Sequence, residues 1–92
     1  MTRQFLVLEI TKLSEGNELR VKVLVDQEEH IFTIKFGELG AILPGELQNL
    51  VWGHLERIKD FTKLIFDVYE GEQIEFPVNL KCWEYPPEQD FG

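Results

Sequence analysis

Between residues 46 and 70 the apolar side chains recur with the period of an α-helix. At about 100° per residue, Leu47, Leu50, Val51, His54, Leu55, Ile58, Phe61, Leu64, Ile65, Val68 and Tyr69 share one face. Glu46, Gln48, Asn49, Glu56, Lys59, Asp60, Lys63, Asp67 and Glu70 take the other. Pro44-Gly45 marks the start, and Gly71 stands where a glycine commonly ends a helix. The phase holds through Asp60, which predicts one long helix of roughly 36 Å. Residues 64–69 are the one stretch where a strand competes with this reading.

The remainder reads as strands. Residues 5–13 and 19–25 flank the turn-forming Ser14-Glu15-Gly16-Asn17, and residues 30–36 follow the polar turn Asp26-Gln27-Glu28-Glu29. Leu19, Val21, Val23 and Val25 alternate with Arg20, Lys22 and Leu24, and Phe32, Ile34 and Phe36 alternate with Ile31, Thr33 and Lys35. The first strand is apolar on both faces, so its parity is taken from its pairing. Setting Glu9 opposite Lys22 and Thr11 opposite Arg20 brings unlike charges together and places Val7 opposite Leu24. Phe5 and Val7 then point away from the helix, and Leu6, Leu8 and Ile10 point toward it. Residues 37–45 read as a glycine-rich loop. Residues 73–83 alternate throughout, and Pro77, which has no N–H for a ladder, assigns that strand to an edge or gives it a local break.

The fold expected is therefore α+β in the order βββαβ: a three-stranded antiparallel meander, one long amphipathic helix on one face, and a C-terminal edge strand. That last strand is expected to lie parallel to its neighbour through a right-handed crossover. Residues 1–85 form a single domain in this reading, and residues 86–92 a flexible acidic tail. Cys82 is the sole cysteine, so no internal disulfide is available and a hydrophobic core has to hold the chain together. A hydrophobic fraction of 43% is enough for one, which argues against disorder.

The formal charge of −8 argues against a general phosphate-backbone binder and suits a chain that meets a basic partner. No stretch has the length of a membrane span or the form of a secretion signal, so the expected location is cytoplasmic. Ser14, the only serine, lies in a turn with no histidine in register, which removes a serine triad. Cys82 and His54 both point into the space between helix and sheet. A Cys–His pair is a recognised nucleophile arrangement, but a buried thiol beside a satisfied core histidine is the plainer account. One cysteine and two separated histidines do not make a zinc site. The acidic clusters at Asp26/Glu28/Glu29 and Glu84/Glu88/Asp90 lack the spacing of a calcium loop. Glycines 37, 40 and 45 are not followed by the lysine and serine of a phosphate loop. No catalytic residue, metal or cofactor is assigned.

Two features point instead to a surface. Trp52 falls among polar residues of the helix beside Gly53, and exposed tryptophans often anchor a partner. The outer sheet face, in the register above, carries Val7, Leu24 and Ile31 in a row with Phe5 and Trp83 nearby. Arg20, Lys22, Lys35 and Lys81 surround this row. The chain thus reads as a small, acidic, non-enzymatic protein-interaction module: a regulatory, inhibitory or assembly subunit. Its expected partner is a protein, with a second copy of the chain the simplest choice. The alternative is a binding module for a small anionic ligand or single-stranded nucleic acid, using the four cations and the aromatics as a stacking platform.

Overall fold

The computed structural model describes residues 3–14 and 16–83; the expected acidic tail, residues 86–92, lies outside the described residues. The chain forms an antiparallel five-stranded sheet with two helices against one face, an α+β architecture. The strands are β1 (Phe5–Lys12), β2 (Glu18–Val25), β3 (Glu28–Gly37), β4 (Gly40–Ile42) and β5 (Val78–Asn79), and the helices are α1 (Gly45–His54) and α2 (Ile58–Tyr69). The spatial order is β4-β3-β2-β1-β5.

β2 and β3 follow their alternation. Leu19, Val21, Val23, Val25, Phe32 and Ile34 are all buried, and they meet Leu47, Val51 and Leu55 from the first helical stretch and Phe61, Leu64 and Ile65 from the second. The turn between the strands is tighter than expected. Val25 pairs with Glu28, leaving Asp26 and Gln27 as a two-residue loop with φ of 47° and 74°. Two successive left-handed residues match the twist of a hairpin, which is why this turn type recurs there.

β1 departs from the expected parity. Glu9 opposite Lys22 and Thr11 opposite Arg20 are both found, but the register slips by one residue between Val7 and Glu9. Val7 therefore faces Val23, not Leu24, and Phe5 faces Val25. An extra residue in one strand of a ladder bends it and resets which side chains point inward. Phe5 and Val7 are fully buried as a result, and the expectation that they line the outer face is corrected. Phe5 stands edge-on to Phe61, ring centroids 5.9 Å apart.

The expected single helix is two. Leu55 is extended, with φ −89° and ψ 130°, and Arg57 is also extended at the start of α2. The backbone here is bonded by the C-terminal segment. Trp83 N–H donates to the His54 carbonyl at 2.8 Å, Glu56 N–H donates to the Lys81 carbonyl at 3.0 Å, and Leu55 bridges to Cys82. These partners substitute for the helical bonds that the break removes. Gly53, a weak helix former, occupies the last turn before it. Residues 64–69 are helical, and Gly71 ends α2 at φ 97°. The Gly71 and Glu72 amides donate back to the Val68 and Asp67 carbonyls, the paired bonds of a Schellman ending.

The loop expected over residues 37–45 contains β4, whose Gly40 (φ 116°) needs the freedom of a glycine. β4 adds one reversal of direction before the helices. The C-terminal strand accordingly runs antiparallel to β1, not parallel to its neighbour. It lies at an edge, as Pro77 requires, but only Val78–Asn79 forms strand.

Two stability outcomes follow from these positions. Leu55, 1% exposed, is the hinge between the helices, so Leu55→Ala should lower unfolding free energy by about 2–4 kcal/mol while Lys59→Ala stays near neutral in urea titration. Gln27→Gly, which relieves a left-handed glutamine, should raise stability by roughly 0.5–1 kcal/mol in the same measurement.

Candidate functional site

The outer face of the sheet is set by β2. Arg20, Lys22 and Leu24 point away from the helices, and their cross-strand partners share that side. Leu24 stands opposite Leu6 on β1 and Glu29 on β3. Lys22 lies between Glu9 and Ile31, and Arg20 between Thr11 and Thr33. Glu18 faces Lys35, which faces Ile42. The slip at Leu8 expels Leu6 and Leu8 to this side by the same shift that takes Phe5 and Val7 inward. The apolar row therefore exists with different members: Leu6, Leu8 and Leu24, half-buried, beside Ile31, 56% exposed. None of the four packs against the core cluster.

The charges on this face are matched. Lys22 pairs with Glu29 at 3.7 Å and Lys35 with Glu18 at 4.0 Å, and Arg20, Glu9 and Thr11 lie in adjoining rows. Among the described residues, Arg20, Lys22 and Lys35 on this face are thus balanced by Glu9, Glu18 and Glu29, whereas the whole chain carries a net charge of −8.

The other expected site residues lie elsewhere. Lys81 is not on the outer face, because its segment leaves the sheet after Leu80, whose amide still donates to Phe5, and bonds the helix junction; its ammonium pairs with Glu56 at 3.5 Å. Trp83 goes with it: the backbone is tied to His54, and the indole Nε1 is buried without a hydrogen-bond partner among the described residues. Trp52 is exposed, at 68%, but it belongs to the helical layer on the opposite side of the sheet from Leu24. The structure therefore unites Leu24, Ile31, Arg20, Lys22 and Lys35 and separates Trp52, Trp83 and Lys81 from them. Leu6 and Leu8 escaped the sequence reading because an apolar run on both faces of a strand carries no signal for a bulge.

His54, Cys82 and their surroundings form a second cluster. His54 ends α1 with Nδ1 3.1 Å from the Leu50 carbonyl and Nε2 3.1 Å from Asp26 Oδ2. Arg3 reaches the same Nε2 at 2.6 Å. Asp26 is fixed at the hairpin turn by exchange with Gln4: its amide donates to the Gln4 carbonyl, and its Oδ1 accepts from the Gln4 amide at 2.9 Å. That amide bond is the main reason the Asp26 carboxyl titrates below the ordinary range, helped by His54 and Arg3. The Cys82 thiol is shifted the opposite way, chiefly by burial and then by the charge of Asp26, so at neutral pH it is a protonated thiol and not a nucleophile. Its Sγ points to the Leu80 carbonyl at 3.6 Å. Among the described residues no three His, Cys, Asp or Glu side chains converge as a metal site would need, and no helix is long and apolar enough to cross a membrane.

No protein-family model, no curated protein and no solved structure matches the chain.

Native Cys82 should react with a thiol reagent many-fold more slowly than it does in denaturant at the same pH, read as absorbance against time. Equal rates would return the thiol to consideration as a reactive group.

Proposed function

We propose that this chain is a small non-enzymatic interaction module whose working surface is the outer face of its sheet. The observation that carries the reading is the apolar group Leu6, Leu8, Leu24 and Ile31, which packs on no part of the core and is bordered by matched charges. A sheet face with such a group is usually covered by something. Protein suits it better than an anionic ligand or single-stranded nucleic acid. Those would want unpaired cations and stacking rings, whereas Lys22 and Lys35 are each matched by a glutamate and Phe5 and Trp83 lie off the face.

A second copy of the chain is the partner favoured by charge. Two molecules of net charge −8 repel across most of their surfaces, and the face whose charges cancel is where they approach at least cost. Three strands of eight to ten residues cover roughly 400 Å² in projection. A standard interface takes about 800 Å² from each partner, so the association should be weak and concentration-dependent.

Light scattering at concentrations up to about 1 mM is the test, with circular dichroism alongside. The wild type should rise toward twice the monomer mass, and Leu24→Asp should stay monomeric with an unchanged spectrum. A wild type that remains a monomer throughout removes the second copy as partner. A variant that unfolds would mean that the face is internal.

A further inference from the structure

We propose that His54 is a proton-operated latch, which holds the Arg3 guanidinium when its ring is neutral and exchanges it for the Asp26 carboxylate when Nε2 takes a proton. The latch does not depend on what covers the outer sheet face.

The proton inventory of the ring follows from its partners. Nδ1 lies 3.1 Å from the Leu50 carbonyl, which can only accept, so Nδ1 carries a hydrogen whether the ring is neutral or charged. The remaining nitrogen, Nε2, is approached from two sides. Arg3 Nη2 is 2.6 Å away, and a guanidinium can only donate, so this contact needs a bare lone pair on Nε2. Asp26 Oδ2 is 3.1 Å away, and an ionised carboxylate can only accept, so this contact needs a hydrogen on Nε2. The two bonds exclude each other. A single proton decides which is made, and the acceptor for the second state is already within reach.

The other groups around the ring support the exchange. Asp26 remains ionised across the range in which an imidazole titrates, roughly pH 5 to 8, because the Gln4 amide holds its carboxyl low. Cys82, in the segment bonded to the helix junction, is a neutral thiol over that range and supplies no competing charge. Phe5, whose ring centroid lies 6.5 Å from that of His54, closes the inner side without a polar atom. Among the described residues Arg3 has two further partners, the Gly53 carbonyl at 3.4 Å and the Asp26 carboxylate at 3.7 Å, the latter then shared with the charged ring. Protonation therefore removes the shortest bond of Arg3, sets a like charge against it and frees its side chain from the end of α1. The residue released leads directly into β1, and the residue that lets go ends the helix whose last carbonyl holds Trp83.

Nitrogen-15 NMR of the whole labelled chain from high to low pH tests this, with His30, the other histidine, as internal reference. In the neutral state His54 should show the Nδ1–H tautomer, the less common form of a free imidazole, and the Arg3 guanidinium resonances should shift with the same midpoint as the ring. Arg3→Ala should move that midpoint to higher pH, and Asp26→Asn should move it to lower pH. An Nε2–H tautomer in the neutral ring, or Arg3 resonances that ignore the transition, would overturn the latch. The tautomer is read on the wild-type protein, so a variant that fails to fold leaves the test standing.

Discussion

Phe5 needs a place in the core, and the only way for β1 to give it one is to lose step with β2. Below the slip the strand keeps Glu9 opposite Lys22 and buries Ile10; above it, Phe5 and Val7 turn inward against Val25 and Val23. Had β1 kept one register, Leu6 and Leu8 would have filled those positions. The large ring that stands edge-on to Phe61 would then have been left in water. The inward turn also aligns Arg3 and Gln4, just before Phe5, with Asp26 and the end of α1. One added residue thus determines both surfaces of the sheet.

What the sequence disclosed depends on whether a pattern had two outcomes or one. β2 and β3 alternate apolar with polar, a one-residue slip would have put charges in the core, and their inward faces were legible. Residues 5–8 are Phe-Leu-Val-Leu, for which either parity is apolar, so the row on the outer face was foreseen but with Val7 and Phe5 in place of Leu6 and Leu8. The helical stretch failed for another reason. Leu55 and Ile58 are three residues apart, a spacing that keeps helical phase even when the intervening backbone is extended. Hydrophobic period reports which side chains are buried and is blind to the φ and ψ that join them.

The C-terminal segment shows the same distinction. Ile74, Phe76, Val78, Leu80 and Cys82 do pack against the core, as their alternation implied, yet only Val78–Asn79 is strand, with the Leu80 amide adding one bond to the Phe5 carbonyl at 3.0 Å. Alternation marks an extended chain with one side covered; it does not say whether the backbone finds a strand, a helix end or water. Trp83 and Lys81 were placed on the sheet by extrapolating the ladder, and they went instead to the helix junction. The His54 cluster was out of reach for a related reason. Arg3, Asp26 and His54 are separated by more than twenty residues at each step, and none stands in a motif.

The junction between the helices has a consequence for the order in which the protein matures. Groups released by the break at Leu55 are bonded by residues 81–83, which leave the ribosome after the two helices. Without them the His54 carbonyl and the Glu56 amide would have only water as partner for the bonds they make here. The break between the helices is thus tied by a segment that follows both of them in the chain.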